Sequence, residues 1–197
     1  MVEQKIFGIT FGISIGFMSL LTFMLYVDKT GLMLPTFFAT LLHEWGHILI
    51  ILAFRCKIDK ILFKVGSVAV EGNFVLPTAK ELLMLFAGPV INFFFFGIFY
   101  VLFVATSSTL CLNFGLVSLV VGTVNLLPIY GLDGGNILII FLERFFGEKN
   151  TEQVSKVVGL ICCSVIILFG IYLLVLQKKN PSLIIFGIYL LICTFKT

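Results

Sequence analysis

The chain of 197 residues is 60% hydrophobic and only 12% charged, with a mean hydropathy of +1.17. A soluble domain is about half apolar and about a quarter charged, so this composition excludes a water-soluble fold and specifies an integral membrane protein, read as one domain over 1–197. The net charge of +3 comes without any basic tract, which argues against a nucleic-acid partner.

A bilayer core requires about 20 apolar residues per helix. Taken in chain order, the expected spans are 6–27, 32–54, 82–105, 114–128, 157–176 and the short 183–195. The fold class is therefore an all-α membrane protein of about six transmembrane helices. The first run is longer than the roughly 7–15 residues of a signal-peptide core and no small-x-small cleavage site follows it, so it reads as a retained helix.

The second span holds "FFATLLHEWGHILIILAF", Phe37 to Phe54. His43 and His47, the only two histidines of the chain, stand four apart and so share one helix face, from which both rings can reach one metal ion. Glu44 beside them is placed to act as general base toward a water at that metal. Two imidazoles and a carboxylate among Leu and Ile would be costly in hydrocarbon without a purpose, and His-Glu-x-x-His is a zinc-hydrolase signature.

The loop 55–81 alternates at Val68 and Val70 against Ser67 and Ala69, with bends at Gly66 and Gly72 and a candidate turn at Glu71-Gly72-Asn73. It is expected to form a small membrane-associated β-hairpin over 64–76, between spans two and three. Gly88-Pro89 can break or kink the next span, and Asn92 follows in "AGPVIN". An amide inside a span serves either a helix–helix hydrogen bond or substrate, and the same choice holds for Asn125. Trp45 and the phenylalanines read as lipid-facing or packing residues, and the five cysteines as buried hydrophobes or free thiols.

A catalytic zinc site takes three protein ligands plus an open position. With no third histidine, a carboxylate or thiolate must complete it. Asp133, in "VNLLPIYGLDGGNILII", has apolar sequence on both sides, unlike the acids of the charged loops. It reads as an Asp-Gly turn when taken alone and as the third ligand beside an incomplete site. Residues 132–146 are expected to form a helix leaving the membrane. With the N-terminus in the cytoplasm, ten of the 13 Lys and Arg fall on the cytoplasmic side, which also places the histidines, Glu44 and Asp133 toward that face.

"HEWGH", "AGPVIN" and "NLLPIYGLDGG", in that order and over about 32–146, resemble the motifs of the site-2 protease family (peptidase M50) of intramembrane zinc metalloproteases. The resemblance implies one zinc ion held by His43, His47 and Asp133, Glu44 as the catalytic residue, and Asn125 and Asn92 as the family's asparagines, candidates for contact with substrate. It implies hydrolysis of membrane-anchored proteins in a multi-pass protein of the bacterial cell membrane. Inhibitory or regulatory membrane proteins and a second copy of the chain are the other partners it brings into view. The layout is closest to the branch that processes a sporulation sigma-factor precursor, without that branch's C-terminal regulatory domain and with Gly131 where the family often has Pro. An extended substrate could pair with a strand edge of the 64–76 hairpin. Two other classes fit the same residues less well: an inactive metal-binding relative that holds membrane partners, against which the intact Glu44 argues, and a metal-ion transporter, which would carry ligands along a path.

Overall fold

The computed structural model describes residues 2–6, 9–64, 67–72, 76–177 and 181–195. Two compact units divide it, 1–122 and 123–197.

The first unit begins with strands. β1 (Val2–Ile6) and β2 (Ile9–Ile13) pair antiparallel, β2 lies parallel to β3 (Lys60–Lys64), and β3 pairs antiparallel with β4 (Ser67–Glu71), giving the sheet order β1-β2-β3-β4. The expected first span of 6–27 is therefore corrected. Ile9, Thr10, Phe11 and Ile13 are β-branched or aromatic, and pairing with β3 satisfies their backbone better than the helix that hydropathy alone suggests. What remains helical is α1 (Ile15–Val27), 13 residues, capped by Ser14 Oγ accepting from Phe17 N at 3.0 Å. At about 1.5 Å per residue α1 is about 20 Å long, shorter than the roughly 30 Å hydrocarbon core.

The expected hairpin exists but in another register. It runs over 60–71, with Lys60 opposite Glu71 and Lys64 opposite Ser67. Glu71 is thus a strand residue and not the head of a turn, while Asn73 of the expected turn lies outside the described residues. Ile61 explains the choice: together with Ile51 and Ile58 it forms a buried cluster closed by Ile9, Phe11, Ile48, Val70 and Met84. The sheet is packed in this way on the C-terminal half of α2 (Met33–Ala53) and the start of α3 (Thr78–Thr106).

α2 and α3 cross closely. A Cβ on Gly46 would lie 2.6 Å from the carbonyl oxygen of Ala87, so only glycine permits this approach. Pro89 does not break α3, which stays helical through it. α4 (Thr109–Asn125) returns along α3, with Gly115 against Phe96 and Phe99 and Gly122 against Asn92 and Phe93.

In the second unit a turn at 126–132 leads into α5 (Asp133–Phe146), followed by α6 (Glu148–Gln177) and α7 (Ser182–Phe195). α6 and α7 pack antiparallel through Gly170 on Ile184 and Gly187 on Ile167, around the buried Ile129, Cys163 and Leu190. All five cysteines are free thiols.

Among the described residues, α2, α3 and Asn150–Leu176 of α6 are long and apolar enough to cross a membrane, and α1, Thr109–Asn125 and Leu183–Phe195 are shorter apolar helices. Among the described residues there are thus three candidate spans, and the six of the sequence reading are not confirmed. Trp45, Phe94, Val101, Val120, Leu168 and Tyr172 stand exposed, a surface suited to lipid rather than water.

Candidate metal centre

His43 and His47 sit one turn apart on α2, and their rings meet nearly edge to face at 84°. The two Nε2 atoms lie 3.2 Å apart. Two imidazoles on one tetrahedral zinc, at about 2.0–2.1 Å each, place their nitrogens about 3.3 Å apart, so the pair already has the spacing of a shared ion. His43 is buried and His47 half-buried, so water competes little for either ring.

α3 holds the far sides of both rings. His47 Nδ1 is 2.8 Å from the carbonyl oxygen of Met84. A carbonyl only accepts, so Nδ1 carries the proton and Nε2 keeps its lone pair for a metal. Gly88, one turn on, makes room: a Cβ there would lie 2.6 Å from His47 Nε2 and 2.7 Å from His43 Cε1. Asn92, a further turn along and 0% exposed, places its carboxamide 3.3 Å from His43 Nδ1. Met84, Gly88 and Asn92 thus form one stripe of α3, at a spacing of four, directed at the two histidines. Asn92 lies behind the His43 ring in an enclosed position. Met84 was not anticipated, because a backbone carbonyl carries no residue-type signal; the Gly88-x-x-x-Asn92 spacing was readable but pointed to no particular ring.

Glu44, half-buried, follows His43 by one residue, about 100° round the same helix. Asp133 belongs to the second unit, where it is the first residue of α5 and half-buried. The local backbone explains why Gly-Gly follows it. A Cβ on Gly134 would strike the carbonyl groups of Leu126 and Leu127, and one on Gly135 that of Ile129. The two glycines therefore let α5 start directly against the 126–130 turn. Gly131 has φ +87°, a conformation closed to proline, so this turn could not carry Pro at 131. Asn125 ends α4 and is half-buried at the head of the same turn.

Three comparisons bear on this arrangement. The model of "Peptidase family M50" matches residues 105–169, the stretch that contains Asn125 and Asp133. Zinc metalloprotease MJ0392 of Methanocaldococcus jannaschii is 30% identical over 143 residues, 68% of this chain. The chain spans 41% of that relative's length. The fold is similar to the solved site-2 protease from Methanocaldococcus jannaschii, with a TM-score of 0.68 and 22% identity over 99% of this chain and 94% of that one. The chain belongs to the site-2 protease family, peptidase family M50.

Proposed function

We propose that the protein is an intramembrane zinc metalloendopeptidase that hydrolyses peptide bonds of membrane-anchored proteins, with its site toward the cytoplasm. The observation that carries this reading is the convergence of His43 Nε2 and His47 Nε2, 3.2 Å apart, with Glu44 beside them. His43 and His47 hold the zinc, and Asp133 supplies the oxygen that completes a three-ligand set. When bound, zinc polarises the scissile carbonyl and makes water a stronger acid and nucleophile at neutral pH. Glu44 takes the proton from the attacking water and returns it to the leaving nitrogen. Asn125, at the head of the turn that carries Asp133, is the candidate donor toward substrate backbone or the developing oxyanion.

A helical substrate shields its own peptide bonds, so it must be drawn out before cleavage. β4 ends the sheet and supplies an edge for that purpose. Glu71 O accepts from Asp59 N at 2.9 Å on the inner side, and strand alternation then turns the backbone groups of Val68 and Val70 outward. An extended substrate segment pairing there would be held as an added strand. Regulatory membrane proteins or a second copy of the chain could act at the same edge.

The decisive test is Glu44→Gln in membranes with a tagged, membrane-anchored substrate. The variant is expected to keep one zinc and to lose cleavage by about 100-fold or more, as the wild type does when a chelator removes its metal. Cleavage at the wild-type rate by this variant would sink the assignment. The same variant, crosslinked in native membranes, should retain the uncut substrate for identification by mass spectrometry.

A further inference from the structure

Among the described residues, Asn92 is the fully enclosed amide that touches the His43 ring, and it faces Nδ1, the ring nitrogen opposite the Nε2 that lies near His47 Nε2. The chemistry of the pair constrains it. For both Nε2 atoms to give lone pairs to one ion, both Nδ1 atoms must carry protons and each proton needs an acceptor. His47 has the Met84 carbonyl at 2.8 Å. His43 Nδ1 has the Asn92 carboxamide at 3.3 Å, placed with its Nδ2 nearest, while Oδ1 is buried without a hydrogen-bond partner.

A carboxamide turned half round presents the other atom at the same point, and the two ends are alike in size and shape. With Nδ2 inward, the amide donates to His43 Nδ1 and forces the ring proton onto Nε2, the atom that must bind metal. With Oδ1 inward, it accepts from Nδ1–H and leaves Nε2 free to coordinate. Because Asn92 is 0% exposed, water does not substitute for either arrangement.

We infer that Asn92 is a positioning residue of the metal centre: its Oδ1 accepts the Nδ1 proton of His43 and thereby fixes both the tautomer and the tilt of that ligand. This rests on the zinc reading above and adds a role beyond it. The carboxamide acts through His43 and does not touch substrate. Gly122, whose Cβ would lie 3.1 Å from that of Asn92, is what lets α4 close over the amide and hold it.

The chain contains two histidines, so 15N-histidine NMR of the purified protein reports on these two rings alone. Zinc-loaded wild type is expected to show both rings protonated at Nδ1. Asn92→Leu, which removes the acceptor, should lower zinc affinity in a chelator competition by about 10- to 100-fold and disturb the His43 signals more than those of His47. Asn92→Asp, which keeps an acceptor at the same place, should restore affinity to within a few-fold of wild type. Recovery with Asp but not with Leu separates an acceptor role from simple packing. A His43 ring protonated at Nε2 in zinc-loaded wild type, or equal zinc affinity for Asn92→Leu and wild type, overturns the inference and leaves the protease reading standing. Should Asn92→Leu fail to fold, the wild-type tautomer and the Asn92→Asp affinity still decide it. A wild type that binds no zinc overturns the proposed function and this inference together.

Discussion

At the scale of single residues, the centre depends on what is missing as much as on what is present. Gly88 has no side chain because both histidine rings occupy the place where a Cβ would stand, 2.6 Å from His47 Nε2 and 2.7 Å from His43 Cε1. Gly88→Ala is expected to cost about 1–3 kcal/mol of stability through overpacking and to lower zinc affinity at least about tenfold by spreading the two nitrogens. Thermal unfolding and chelator competition on the same preparation check both. Asp28 acts differently. Its carboxylate accepts from Thr30 N at 2.9 Å, Thr30 Oγ1 at 2.7 Å, Gly31 N at 3.0 Å and Met33 N at 2.9 Å, which ties the end of α1 to the first residue of α2. The bond from Met33, then that from the Thr30 hydroxyl, pulls its pKa from 3.8 down to about 2. A depressed carboxylate pKa stabilises the fold above the unfolded value, and that contribution is lost as pH falls through the folded one. The α1–α2 connection should therefore hold down to about pH 4 and loosen between there and pH 2. A 13C carboxyl titration is expected to find a midpoint for Asp28 near 2, and a midpoint at 3.8 would show the bonds absent in solution.

At the scale of elements, the sheet separates two roles along one strand. In β4 the backbone groups of Ser67, Ala69 and Glu71 face β3, whereas those of Val68 and Val70 face away from it. Proline is tolerated where the missing N–H points away from the ladder, so Val70→Pro should leave the β3–β4 pairing intact. It removes one donor from the open edge, and cleavage of a membrane-anchored substrate should fall about tenfold with zinc affinity unchanged. Cleavage and zinc affinity both at wild-type levels would remove the edge from the mechanism. α3 is the element on which the metal centre leans most, since Met84, Gly88 and Asn92 all address the histidines from one stripe. Its continuity through Pro89 keeps these three positions in register, which a kink between Met84 and Asn92 would disturb.

At the scale of the whole molecule, the apolar exterior fits a protein surrounded by lipid, and the distribution of Lys and Arg proposes which way it faces. Arg55, Lys57 and Lys60 follow α2 in one short stretch and are the natural markers. Trypsin added to inside-out vesicles should cut at Arg55 or Lys57, while right-side-out vesicles should protect these sites; the reverse pattern would invert the proposed orientation.

Membrane residence was legible in composition, and the pairing of His43 with His47 in a spacing of four, because helix periodicity turns i and i+4 to one side whatever the rest of the chain does. The helix over 132–146 was legible too, and it starts at Asp133. The start of the chain was not. Ile9 to Ile13 are as apolar as a helical span, and only pairing with β3, some 50 residues away in sequence, decides for a strand. The hairpin shifted for the same reason, since its register is chosen by which side chains bury against α2 and α3 and not by local turn residues. The sequence by itself thus determined the solvent and set the two histidines on one face of one helix. Only the tertiary structure decided what stands behind the two histidines, namely a backbone carbonyl, an absent side chain and an enclosed amide on a second helix. Those are set by where α3 crosses α2, and a crossing is a property of two packed surfaces that neither segment's sequence specifies alone.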